Sequence, residues 1–190
     1  MSRSLSVCIV GAGSSYTPEL VQGLIQQDPD ELPIGALRLT DINPDRLSIM
    51  AGFTERVVRH RAREMTVSSD VRLEPMLEGA DFVITQIRVG GMKARHLDES
   101  IPLKYGIIGQ ETTGPGGMCK ALRTIPHMLE IGNALASVSP EAFILNYTNP
   151  SGIVTEAVSK YTKARIIGLC AGIPDMQQSI IARFSCQYPD

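Results

Sequence analysis

The chain has 190 residues, a formal net charge of −2, 43 % apolar residues and no tryptophan. That length carries one domain with a full core, and the charge gives no electrostatic basis for nucleic acid or anionic lipid as a partner. No apolar run approaches the roughly 20 residues of a membrane span, and the four cysteines (Cys8, Cys119, Cys170, Cys186) form no Cys-x-x-Cys pair. With no secretory h-region before the first strand, reduced thiols and a cytoplasmic location are expected.

In chain order, Leu5 to Val10 is an apolar run bounded by glycine, which predicts a buried strand. Thr17-Pro18 predicts a helix start, with the Thr17 hydroxyl as cap, and Leu20, Val21, Leu24 and Ile25 form its apolar face. Ala36 to Thr40 is the second predicted strand, and Asn43-Pro44 starts a helix carrying Leu47, Met50, Phe53 and Val57. A weaker strand follows at Val67 to Val71 and a strong one at Asp81 to Thr85. Helices are expected from about Lys93 to Leu103 and from about Lys120 to Leu135. Strands at 142–147 and 165–170 flank a helix through Ile153, Val154 and Val158, and Asp175 to Phe184 reads as a last helix. Strands alternating with helices mean an α/β fold, a doubly wound parallel sheet of Rossmann type, as in lactate and malate dehydrogenases. No linker is visible, so residues 1–190 are expected to form one dinucleotide-binding domain.

Gly11-Ala12-Gly13 lies between a strand and a helix, the context that gives a glycine motif meaning. Gly11 permits a tight turn, and Gly13 lets backbone approach a pyrophosphate that the helix N-terminus stabilises. Tyr16 stands where a third glycine is usual, so Ser14, Ser15 and Thr17 are expected to offer hydroxyls to phosphate oxygens. Asp41, ending the second strand, is placed to bind an adenosine ribose diol, which favours NAD over NADP. A glycine turn without nucleotide, with Asp41 as a helix cap, is the competing reading.

The densest polar stretch runs from Gln86 to Gly117. Arg88 and Arg95 there suit bidentate recognition of phosphate or carboxylate, or else a solvated surface. Glu111 is either a structural carboxylate or one that tunes a nearby base. Asn146-Tyr147-Thr148-Asn149-Pro150 and Cys170 end successive predicted strands, where ligands gather over a parallel sheet. Cys170 is a candidate metal ligand or a small hydrophobe, and His60, His96 and His127 show no ligand spacing with it.

Taken together, these motifs resemble the NAD- and metal-dependent glycosidases of glycoside hydrolase family 4. The matching segments run in order across nearly the whole chain: residues 11–20, Gln-Ile-Arg-Val-Gly-Gly at 86–91, 98–106, Gly-Gln-Glu-Thr-Thr-Gly-Pro-Gly-Gly at 109–117, 121–126, Asn-Tyr-Thr-Asn-Pro-Ser-Gly at 146–152, and Gly168-Leu169-Cys170. Such enzymes depart from two-carboxylate glycoside hydrolysis. The resemblance implies that NAD⁺ takes hydride from sugar C3, that the ketone acidifies the C2 proton, and that a divalent metal, usually Mn²⁺, stabilises the enediolate. The C1–oxygen bond then breaks by elimination, water adds, and NADH returns the hydride. It further implies that Arg95 and Asn149 contact a phosphorylated sugar, that Cys170 ligates the metal, and that Glu111 raises the basicity of a catalytic tyrosine. Ser15 to Leu20 look most like the 6-phospho-β-glucosidase branch. Ala171 departs from the family's Asn or Asp after the metal cysteine, which removes an acid at that point.

The family is expected to draw a metal-binding histidine, the base tyrosine and further phosphate-binding arginines from a C-terminal region, so this chain is expected to match the N-terminal half and to be inactive alone. In full-length form a homo-oligomer is expected. The alternatives are an NAD-dependent 2-hydroxy acid dehydrogenase, which has no use for Cys170 as a ligand, and a non-catalytic NAD-binding module.

Overall fold

The computed structural model describes residues 3–61, 63–170, 176 and 179–183. Its centre is a six-stranded sheet in the order β3-β2-β1-β4-β5-β6, parallel at every pairing. The strands are β1 (Leu5–Val10), β2 (Ile34–Thr40), β3 (Thr66–Ser69), β4 (Phe82–Thr85), β5 (Phe143–Asn146) and β6 (Arg165–Gly168). The helices are α1 (Thr17–Gln26), α2 (Pro44–His60), α3 (Leu73–Leu77), α4 (Gly91–Leu103), α5 (Gly114–Val138) and α6 (Ser151–Tyr161). This is the doubly wound arrangement that the alternation of strand and helix patterns predicts.

Both sheet faces are covered, and strand alternation divides the core in two. Val7 and Ile9 of β1 pack with Val21 and Ile25 of α1 and with Leu47, Ala51 and Val58 of α2. Cys8 and Val10, one residue out of phase, face Leu77 of α3, Met128 and Leu135 of α5, and Val154 and Val158 of α6. Burial of Cys8 pushes its thiol up to about 12 despite the nearby charge of Arg38, so it is an inert core residue.

Several boundaries differ from the sequence reading. α1 begins at Thr17 with Tyr16 as its N-cap and no side-chain cap, because the Thr17 hydroxyl donates instead to Ala12 O at 2.7 Å. The second helix starts as expected: Asn43 Oδ1 accepts from Arg46 N at 3.0 Å, with Pro44 in the first turn. The glycine-rich segment 114–117, ahead of the helix expected from about Lys120, is the first turn of α5. α3, only five residues long, had no periodic pattern to reveal it. Of the helix expected at Asp175 to Phe184, Met176 and residues 179–183 are helical, and the rest lies outside the described residues.

The order reverses between β1 and β4, whose carboxyl ends lie side by side at Val10 and Thr85. In open α/β sheets the ligand crevice forms at such a switch point. The glycine loop after β1, the Gln86–Gly90 loop after β4 and the loop after β5 all emerge there.

Candidate active site

The glycine loop is fastened to its neighbours at each residue. Gly11 and Ala12 N–H groups both donate to Thr40 O, at 2.9 and 3.0 Å. Gly11 has φ +85°, and a Cβ there would stand 2.9 Å from Gln86 O, so backbone conformation and space both require glycine. Gly13 N donates to Asp41 Oδ2 at 2.8 Å, while Asp41 Oδ1 accepts from Asn43 N at 2.8 Å. The Thr17 hydroxyl is fully buried; besides donating to Ala12, it accepts from Gln86 Nε2 at 2.8 Å. It therefore shapes the loop from beneath, whereas Ser15 is exposed, and among the described residues its N–H has no protein acceptor. Ser14 is half-buried, and its hydroxyl accepts from Tyr16 N at 3.2 Å.

The loops after β4 and β5 are tied together by Ile87 N donating to Thr148 Oγ1 at 3.1 Å. Beneath them, Asn146 is fully buried: its Oδ1 accepts from Thr85 Oγ1 and Thr148 N, both at 2.9 Å, and its Nδ2 reaches Thr155 Oγ1 at 3.2 Å. Asn146 is thus a structural amide, and Asn149, half-buried beside a cis peptide to Pro150, is the amide left near the surface. Leu169 N donates to Asn146 O at 2.9 Å, which places the segment after β6 along the same edge and leaves Cys170 exposed as a free thiol.

Glu111 is the hub of the charged residues. Its Oε2 lies 2.6 Å from Arg88 Nη1, 2.8 Å from Lys120 Nζ and 3.6 Å from Arg95 Nε. Three elements supply these cations: the loop after β4, α5 and α4. Arg95 Nε also donates to Glu99 Oε1 at 2.7 Å. Burial by itself would raise the Glu111 carboxyl, but hydrogen bonds from Lys120 and Arg88 and their charges hold it at about 2. Burial pulls Lys120 below its ordinary range, against the opposing pull of Glu111. Arg95 is held above its ordinary value chiefly by its hydrogen bond to Glu99, with the charge of Glu111 contributing.

Close backbone packing fixes the Glu111 loop. A Cβ at Gly116 would come 2.5 Å from Asp98 O, and one at Gly117 would come 2.5 Å from Thr112 O. Arg123 ties α5 to the rest: its Nη2 lies 2.5 Å from the buried Asp98 Oδ2, and its Nε donates to Val89 O at 3.0 Å.

The family model described as family 4 glycosyl hydrolase matches residues 6–184. The chain belongs to glycoside hydrolase family 4. This family 4 chain is 46 % identical over 173 residues to the Bacillus subtilis protein named "Probable 6-phospho-beta-glucosidase", covering 90 % of this chain and 39 % of the relative. It is 40 % identical to the 6-phospho-beta glucosidase of Thermotoga maritima, solved with NAD and glucose-6-phosphate, at a TM-score of 0.87 over 96 % of this chain and 43 % of that one. A 6-phospho-alpha-glucosidase from gut microorganisms, solved with NAD and Mn2+, is 36 % identical at a TM-score of 0.82, over 88 % and 39 % of the two chains. The lactate dehydrogenase of Eimeria maxima, at 20 % identity and a TM-score of 0.63 over 90 % and 44 %, shares the fold alone. The chain spans about two fifths of the length of the curated relatives it matches.

The residues of this family 4 chain fit a dinucleotide. The Gly11–Ser15 turn leaves the Ser15 N–H without an acceptor among the described residues, and the Asp41 carboxylate, on Gly13 N, is the acceptor next to the turn. A metal ion is not provided for in the same way. Cys170 is an exposed candidate donor, but among the described residues no group of three or more His, Cys, Asp or Glu gathers to hold an ion. Ala171 lies outside the described residues.

Arg88, Arg95 and Glu111, which the sequence singled out separately, meet at one carboxylate. Lys120 and Arg123 were missed as site residues. For Lys120 the signal was available: it falls on the stripe of α5 formed by Gly117, Ala121, Thr124, Met128 and Leu135, where a lysine demands an anion.

Proposed function

We propose that the chain is the NAD-binding part of a 6-phospho-β-glucosidase. The observation that carries this reading is the cation surplus around Glu111: Arg88, Arg95 and Lys120 stand on one of its carboxylate oxygens, with Glu99 as the second carboxylate of the cluster. A phosphate dianion suits such a surplus, because arginine pairs with it in bidentate fashion. The β-glucosidase relatives are the more similar, at 46 and 43 %, against 40 % for a 6-phospho-alpha-glucosidase of Lacticaseibacillus paracasei.

Bound NAD supplies the hydride acceptor for sugar C3 and returns the hydride at the end of the cycle. The chain's own part is positional. Gly11, Gly13, Ser14 and Ser15 receive the pyrophosphate over the N-terminus of α1, Asp41 takes the adenosine ribose, and Thr17 braces the turn. Arg88, Arg95 and Asn149 hold the phosphorylated sugar at the strand ends. Glu111 offers its carboxylate to the group that removes the C2 proton, strengthening it as a base. Cys170 is the candidate donor to the divalent metal that this reading includes.

The test is hydrolysis of p-nitrophenyl 6-phospho-β-glucoside by the whole protein with NAD⁺, Mn²⁺ and a thiol reductant, beside the α-anomer. Cleavage of the β-anomer without net NADH is expected. NADH accumulating in step with turnover of a 2-hydroxy acid would replace the reading with a dehydrogenase. The 190-residue chain is expected to bind NAD without hydrolysing either anomer at an enzymatic rate.

A further inference from the structure

The three cations on Glu111 are not equivalent. Arg88 and Arg95 have side chains 32 and 36 % exposed, while Lys120 is 3 % exposed on the buried stripe of α5. All three address Oε2; among the described residues no donor stands on Oε1. A half-buried arginine whose tip reaches water can turn toward an arriving anion, because its long side chain has other rotamers and water to receive it. Lys120 has neither, and its ammonium finds no hydrogen-bond acceptor other than Glu111 among the described residues. Breaking a buried ion pair at one partner leaves an uncompensated charge, which holds such a pair together.

From this asymmetry we infer that Lys120 is a positioning residue: it keeps Glu111 paired and aimed through Oε2, so that Arg88 and Arg95 can transfer to a substrate phosphate while Oε1 stays available to a donor. The inference rests on the reading of Arg88 and Arg95 as phosphate-binding groups. Without Lys120, Arg88 becomes the principal counter-charge of Glu111 and is withheld from the phosphate. The ready ionisation of Glu111 described above accords with a permanent cation at Oε2.

The experiment is calorimetric binding of glucose 6-phosphate to the NAD-loaded whole protein in four forms: wild type, Lys120→Met, Glu111→Gln and the double variant. Wild type is expected to bind, and Lys120→Met to bind about tenfold more weakly, the scale of one charge-assisted hydrogen bond. In the Glu111→Gln background, where Arg88 has no carboxylate to neutralise and Arg95 keeps Glu99, adding Lys120→Met is expected to change little. An equal loss in both backgrounds would show that Lys120 acts on the phosphate by its charge alone and would overturn the inference. No binding by wild type would instead overturn the phosphate-binding reading itself. NAD affinity unchanged across the four forms confirms that they are folded. Should Lys120→Met not fold, ¹³C NMR titration of Glu111 in Lys120→Gln decides: a carboxyl still titrating at the wild-type position overturns the inference, and one displaced upward supports it.

Discussion

The Asp41 carboxylate accepts a 2.8 Å hydrogen bond from the Gly13 backbone, so the end of β2 and the loop after β1 form one rigid unit. The residue expected to select the ribose is therefore also the residue that sets the turn expected to carry the pyrophosphate. Asp41→Ala is expected to weaken NAD binding and also destabilise the fold by about 1.5–3 kcal/mol, the range for a hydrogen bond to a charged group. Calorimetry and urea denaturation on the same preparation separate the two effects; unchanged NAD affinity would remove Asp41 from the site.

Gly13→Ala tests the same contact from the other side. Its Cβ would stand 2.9 Å from the Asp41 carboxylate and 3.0 Å from Arg46 Cβ, so the carboxylate must move. Weaker NAD binding is expected with α2 intact by circular dichroism. Gly23→Ala, where a Cβ meets nothing, is expected to stabilise α1 by about 0.5–1 kcal/mol.

Glu111 predicts a pH dependence of defined sign. Its folded value of about 2 lies below the ordinary 4.5, so the fold favours the ionised form. That contribution is complete above about 4.5 and lost as pH falls through about 2. The melting temperature of Glu111→Gln is therefore expected to lie below wild type near neutral pH, with the gap narrowing on acidification across that window. A gap that stays constant to the acid end would show that the cations do not hold the carboxylate.

Arg123→Ala leaves Asp98, 5 % exposed, without its partner and frees Val89 O from its donor. A loss of about 3 kcal/mol is expected, because an uncompensated buried charge remains. By contrast, Arg165→Ala removes an exposed pair with Glu141 and should cost less than about 1 kcal/mol. Equal losses in urea denaturation would contradict the burial argument.

The cysteines separate by environment. A thiol reagent is expected to modify Cys170 and Cys119, both exposed, in the native protein and to spare Cys8 until unfolding. Cys170→Ser should remove one rapidly reacting thiol and Cys8→Ser none; if Cys170 donates to Mn²⁺, added Mn²⁺ should slow its modification.

The sequence by itself determined the fold and the nucleotide loop, because both rest on short-range rules. Apolar runs of strand length alternate with 3.6-period faces, which dictates a parallel sheet covered on both sides, and Gly11-Ala12-Gly13 between strand and helix has a local conformational meaning. The position of Asp41 was legible for the same reason, because strand ends are readable, and in such a sheet they are where ligands sit. Only the tertiary structure decided which polar residues serve the site and which serve the core. Thr17 and Asn146 read as ligand-facing from their motifs, yet both are fully buried and spend their hydrogen bonds on neighbouring loops. Lys120 and Glu111 are nine residues apart, but whether a helix face turns one onto the other depends on where α5 begins. Gly116 and Gly117, ahead of the helix expected from about Lys120, lie in its first turn, where close packing against α4 and the Glu111 loop leaves no room for a side chain. The pairing of Lys120 with Glu111 is decided by long-range packing, because only the fold buries the ammonium, 3 % exposed, where Glu111 is its one acceptor among the described residues.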